Sequence, residues 1–206
     1  MKALRAHHRG GAETLVYEDA PVPVAGAGEV LVRVHAAGIT FSELGWDETW
    51  RAESGDDRTP IIPAHEVSGV VEAVGDGVSH FAQGDEVYGR IGFNRNGAAA
   101  EYVAAPASDL ALRPVSVSHV ESATLPLAAL TAWQALFDHA HVQPHEHVLV
   151  LGGAGGVGSF AVQLGTSPRT RDRDRRHRGT GFCCRPRSRR RAELRDADRH
   201  QRPCSG

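Results

Sequence analysis

The chain has 206 residues, 23 Lys and Arg against 25 Asp and Glu, and a formal net charge of −2, a length that holds one or two domains. No run of about 18 apolar residues is present to span a membrane, and no charged-then-apolar leading stretch resembles a signal peptide, so the expected partner set has no membrane and the expected compartment is the cytoplasm. The charge is split: residues 1–165 hold 9 of the Lys and Arg and 20 of the Asp and Glu, and residues 166–206 hold the other 14 and 5.

From Met1 to about Arg113 the pattern is all-β. Val30, Val32 and Val34 alternate with Leu31, Arg33 and His35, the period of a half-buried strand. Residues 67–74 form a second long run, closed by Gly75-Asp76-Gly77, and short strands are expected near Leu4, Val16, residues 87–91, Tyr102 and residues 110–112. Many short strands with glycine punctuation make a barrel or sandwich. Residues 47–60 are polar and acidic without a period, which predicts a mobile surface loop. Trp46 and Trp50 sit there, either walling a flat substrate or anchoring the loop by burial.

Beyond residue 117 the pattern becomes helical. Ser118 with Glu121 three residues later is a capping box, and an Ala- and Leu-rich stretch interrupted by Pro126 predicts two short helices, the second over 127–139. A turn at 143–146 leads into residues 148–151, apolar at every position, as in a strand buried on both faces of a parallel sheet. Gly153, Gly155 and Gly158 follow at G-x-G-x-x-G spacing, and Val157, Phe160, Ala161 and Leu164 then recur at helical intervals. In this context backbone without side chains admits a pyrophosphate, and the helix N-terminus offers N–H donors and partial positive charge to it. Gly153, Ala154, Gly155, Gly156, Val157 and Gly158 are therefore candidate cofactor-binding residues, against the alternative of a glycine-rich loop with no ligand.

His65-Glu66-Val67-Ser68-Gly69 with Gly75 and Val78 resembles the H-E-x-x-G signature of the medium-chain dehydrogenase/reductase superfamily, with Ala64 where glycine is usual. Residues 84–89, 97–103 and 125–133 resemble its quinone oxidoreductase, zeta-crystallin-like branch, so the likeness covers residues 1–164. The resemblance implies a mixed fold. A GroES-like β-barrel domain takes up residues 1–117, and linker helices with the first β-α unit of a Rossmann α/β domain take up 118–165. It further implies NADP(H), preferred over NAD, bound in the cleft between the domains, with hydride passed to a quinone or α,β-unsaturated carbonyl. It places Thr40 and Thr131 near the nicotinamide, Thr131 as a cofactor-binding and Thr40 as a substrate-binding residue; Trp46 joins Thr40 as a substrate-binding candidate on its aromatic ring alone. Thr40 closing a turn and Thr131 lining its helix are the plainer alternatives. No residue receives a catalytic role.

A catalytic zinc needs three protein ligands and a structural zinc usually four cysteines. All three cysteines, Cys183, Cys184 and Cys204, lie in the basic tail. The zinc relatives' first cysteine aligns with Thr40 and their last ligand falls near Leu127, which leaves His65 alone, as a packing or hydrogen-bonding histidine. His139, His141, His145 and His147 form a dense cluster, read as a solvated turn. The expectation is no zinc.

Residues 166–206 contain no Val, Ile, Met, Tyr or Trp and cannot form a core, so a disordered tail is expected. Its Arg-rich composition and the chain's single lysine fit a frameshift near residues 165–168 in a G+C-rich gene. The position expected to contact the ribose falls near Arg178, beside Arg175 and Arg176. Two other readings stand beside the reductase: an inactive fragment lacking most of the cofactor domain and, ranked last, nonspecific nucleic-acid binding through the tail. A homodimer stays open, since the sheet edge by which relatives pair lies beyond Leu164.

Overall fold

The computed structural model describes residues 1–40 and 42–166. The Arg-rich tail, its arginines near residue 178 and the nucleic-acid reading lie outside the described residues, apart from Thr166, which ends the last helix.

The chain divides into two compact units, Met1–Leu127 and a second starting at Ala128. In the first, β1 (Lys2–Ala6) and β2 (Leu15–Asp19) form an antiparallel hairpin. A five-stranded antiparallel sheet runs in the order β6-β3-β4-β5-β7. Its members are β3 (Glu29–Gly38), β4 (Glu66–Val74), β5 (Glu86–Arg90), β6 (Tyr102–Pro106) and β7 (Leu110–Leu112). Bridges at Ala3–Ala100 and Ala6–Ile61 tie the hairpin to the rest of the unit. The alternation read from the sequence is realised on β3, where Val30 and Val32 face the core while Arg33 and His35 are exposed. Val32 pairs with Val71 across β4, and Val67, Val71, Val87 and Ile91 complete a core closed by Phe81, Val103 and Leu110. Each fully buried valine contributes about 1.5–3 kcal/mol.

Residues 47–60 are not the open loop that their polarity predicts. They carry the short helix α1 (Asp47–Trp50) and an Arg51–Asp57 bridge. Trp50 is 3% exposed and packs with Ala6, Leu44 and Ile61, its indole N–H donating to the Leu44 carbonyl at 2.7 Å. One large aromatic anchor thus outweighs the polarity of its neighbours, and Trp50 anchors rather than walls a substrate.

Helix α2 (His119–Ser122) starts on the expected capping box: the Glu121 N–H donates to Ser118 Oγ at 3.2 Å and the Ser118 N–H to Glu121 Oε2 at 2.8 Å. Helix α3 (Pro126–Trp133) begins on proline, which needs no donor at a first turn. The segment expected as one helix over 127–139 changes character midway, continuing as a wider π-helical stretch over Gln134–His139. Helix α4 (Gly156–Gly165) packs Ala161, Val157, Phe160 and Leu164 on Ala132 and Leu136, the face its periodicity predicts.

Residues 148–151 depart from expectation. Val148 and Val150 are half-buried against the α4 cluster, but Leu149 is 56% and Leu151 64% exposed, so the run is covered in part on one face, not buried on two. Among the described residues no strand pairs with it, and an extended segment without hydrogen-bonded neighbours has nothing to cover its second face.

Candidate functional site

The glycine corner lies wholly in the second unit. Gly152 has a φ of +73°, a left-handed conformation that costs side-chain-bearing residues about 1–2 kcal/mol, and its carbonyl accepts from the Gly155 N–H at 2.9 Å. Gly158 is required for close approach: a Cβ there would lie 2.1 Å from the Gly152 carbonyl oxygen. It is the third glycine of the motif, the one that lets helix and preceding strand pack closely. Gly155 caps α4 in an extended conformation with no side-chain cap, and its carbonyl takes the first helical bond, from the Ser159 N–H at 2.9 Å. Among the described residues the N–H groups of Gly156, Val157 and Gly158 have no protein acceptor. Three donors therefore converge where the helix dipole is positive, and Ala154, Gly155 and Gly156 are exposed to whatever binds there. A Cβ on Gly156 would meet nothing within 4 Å, so the cradle has room for an oxyanion. Thr131 is exposed on α3 of the same unit.

The first unit contributes a separate constellation. The Thr40 carbonyl accepts from the Glu43 N–H at 2.9 Å, so Thr40 does close a turn, while its hydroxyl has no hydrogen-bond partner among the described residues. Trp46 is half-buried, edge-on to Phe93 with ring centroids 4.9 Å apart. Here His65, read from the sequence as a packing or hydrogen-bonding histidine, meets Glu43, which the sequence reading missed. Glu43 is 0% and His65 1% exposed; Glu43 Oε1 accepts from the Ala64 N–H at 2.5 Å and Oε2 lies 3.4 Å from His65 Nδ1. His65 Nε2 faces the Arg95 carbonyl at 3.0 Å, so that nitrogen carries a proton, and the ring lies against Phe93 at 4.8 Å. Glu43 thus ties the Thr40 turn to the strand-leading segment of the H-E-x-x-G motif. An acidic residue three positions after Thr40 was the available signal, obscured by five other carboxylates in the following stretch.

Glu66 is the second carboxylate here. It accepts from the Leu127 N–H at 2.8 Å, and burial, opposed by that bond, pushes its carboxyl above the ordinary range, with Glu43 adding to the rise. Among the described residues no group of three His, Cys, Asp or Glu is arranged to hold a metal. His139, His141, His145 and His147 are exposed, and His141 turns to the Phe137 carbonyl at 3.1 Å. No described helix is long and apolar enough to cross a membrane.

Residues 26–115 match the alcohol dehydrogenase GroES-like domain family. The chain is 37% identical over 166 residues to a chloroplastic quinone-oxidoreductase of Triphysaria versicolor, covering 75% of this chain and 49% of that one. It is 36% identical over 171 residues to a 2-methylene-furan-3-one reductase of Solanum lycopersicum, covering 80% and 44%. Among solved structures, a mycobacterial protein complexed with NADPH superposes with a TM-score of 0.69 at 35% identity, over 81% of this chain and 50% of that one. The chain spans about half the length of the curated relatives it matches. With the β order, the glycine corner and these likenesses in agreement, the chain belongs to the medium-chain dehydrogenase/reductase superfamily, within its quinone oxidoreductase branch.

Proposed function

We propose that the protein is an oxidoreductase that uses NADPH to reduce a quinone or an α,β-unsaturated carbonyl without zinc. The observation that carries this is the set of three unpartnered N–H groups at the start of α4, behind a corner that only glycine permits at Gly152 and Gly158. That arrangement fits a diphosphate. NADPH, when bound, supplies a hydride from its nicotinamide. The chain's own residues bind and orient: the amides of Gly156, Val157 and Gly158 hold the diphosphate, and the Thr131 hydroxyl orients the nicotinamide carboxamide. In the first unit the Thr40 hydroxyl donates to the acceptor's carbonyl oxygen and the Trp46 ring forms a flat wall. Rate then comes from positioning and from a hydrogen bond to the developing oxyanion.

The absence of zinc from this reading rests on residue chemistry. Thr40 stands where zinc relatives carry cysteine, and both His65 nitrogens face protein acceptors in a buried setting. The test is NADPH oxidation, followed by absorbance, with 1,4-benzoquinone and with an enone as acceptors, before and after treatment with a chelator. Turnover that survives chelation is expected; no turnover with either acceptor overturns the activity, and turnover abolished by chelation overturns the zinc-free mechanism.

A second reading, an inactive fragment, is favoured by the exposure of Leu149 and Leu151. On that reading the corner exists but lacks the support to hold a cofactor, and NADPH does not bind saturably.

A further inference from the structure

A second concave site lies within the first unit, and neither Glu43 nor Thr40 lines it. It has a volume of about 440 Å3, and its lining includes the charged Arg58, Arg95 and Glu29 together with the apolar Ile62, Val22 and Val24. Its charges do not balance. Glu29 pairs with Arg95, and Arg5, also at the wall, is matched by Glu18 at 3.1 Å. Arg58 has no carboxylate within 4 Å among the described residues. Its guanidinium donates instead to the Thr49 carbonyl at 2.7 Å, the Phe93 carbonyl at 3.2 Å and Asn96 Oδ1 at 3.2 Å. A guanidinium has five N–H groups, so two are left without an acceptor among the described residues. Beside it the Nε of Arg95 is buried and also has no acceptor, and a buried donor left unpaired costs about 1–3 kcal/mol. Burial first, and then the like charge of Arg95, hold the Arg58 guanidinium below its ordinary pKa. Of the apolar lining residues, Val22 is 50% and Val24 86% exposed.

We propose that this cavity binds a small organic carboxylate, its two oxygens taken by the spare N–H groups of Arg58, and its apolar body laid against Ile62, Val22 and Val24. A carboxylate satisfies the planar donors of a guanidinium in pairs, and it balances the Arg58 charge that no carboxylate of the described residues matches. The apolar wall separates such a ligand from inorganic anions, which have nothing to place there. A volume of this size lies within the range of small-molecule pockets.

The test is calorimetric titration of the full chain at low ionic strength with benzoate, benzyl alcohol and inorganic phosphate as probes. Benzoate is expected to bind saturably, phosphate at least tenfold more weakly, and benzyl alcohol not measurably. Arg58→Gln is expected to weaken benzoate at least tenfold. Val24→Asp, at an exposed position that carries no folding load, is expected to weaken it at least fivefold by placing a like charge at the mouth. Absence of saturable benzoate binding overturns the proposal, as does phosphate binding as tightly as benzoate, or a benzoate affinity that neither substitution moves. Because the probes are free of nucleotide, the outcome is independent of whether NADPH binds.

Discussion

Ala64 occupies a position whose backbone is left-handed, with a φ of +70°, where the superfamily signature usually has glycine. Its N–H is needed at Glu43 Oε1 and its carbonyl accepts from Ala98 at 2.5 Å, so the surrounding bonds hold a conformation that alanine alone would avoid. Ala64→Gly is therefore expected to raise stability by about 1 kcal/mol, measured by urea unfolding at neutral pH. Glu43 presents the opposite case. Glu43→Ala leaves the Ala64 N–H and His65 Nδ1 without their carboxylate in a dry setting and is expected to cost about 3 kcal/mol or more. Residue-scale reading of the sequence reached Ser118, Glu121 and the motif glycines, because each announces itself by type and spacing. Glu43 was not legible, since nothing in a run of acidic residues says which one turns inward. Gly152 was missed for a related reason: the motif counts Gly153, Gly155 and Gly158, and the left-handed residue sits one position before it.

At the scale of elements, period-two valines and glycine turns suffice to place the strands of the first unit, because burial on one face writes itself directly into alternation. Residues 148–151 show the limit: an all-apolar run states what a strand would bury and says nothing about which neighbours reach it. Helix α2 carries a testable device. Ser68 Oγ lies 2.8 Å from His119 Nδ1 and 3.1 Å from the Val87 carbonyl, and His119 Nε2 is 3.7 Å from Glu86 Oε1. His35 stacks at 4.5 Å. Burial first, then the charges of His35 and Arg113, lower the His119 pKa from its ordinary 6.5, with Glu86 opposing. The unfolded chain thus takes up this proton before the folded one does. The stability His119 contributes is complete above about pH 6.5 and is lost as pH falls below that value. Unfolding free energy is expected to decline from pH 7 to 5.5, and His119→Asn, which keeps an N–H donor for Ser68, to flatten that slope; identical slopes in both proteins would contradict it. At the glycine corner, Gly158→Ala is expected to open the turn, since its Cβ would meet the Gly152 oxygen at 2.1 Å, and to destabilise the second unit. Gly156→Ala meets no such obstacle and gains about 1 kcal/mol of helix propensity. It nevertheless narrows the cradle, so it is expected to keep or raise stability while weakening NADPH.

For the whole molecule, composition divides the chain more sharply than packing does. The sequence pattern changes at residue 118, whereas the first compact unit runs on to Leu127, because α2 packs on β3 and β4 and Leu127 bonds to Glu66. A helical signal marks where local structure changes, not where contacts end. The order of a β unit followed by a glycine corner and helix α4 was legible, and the family was legible in the residues of the H-E-x-x-G stretch and its companion motifs. The acceptor was not, since Thr40 and Trp46 take their meaning from loops that sequence periodicity does not describe. The account depends on a diphosphate resting at the start of α4. Fluorescence titration of the 206-residue chain with NADPH, paired with Gly156→Ala, tests this most directly. The account requires saturable binding by the unaltered chain, stabilisation of about 2.7 kcal/mol when NADPH is a hundredfold above its Kd, and affinity roughly tenfold weaker in the variant. A chain that shows no saturation, or a variant that binds as tightly as its parent, would contradict it.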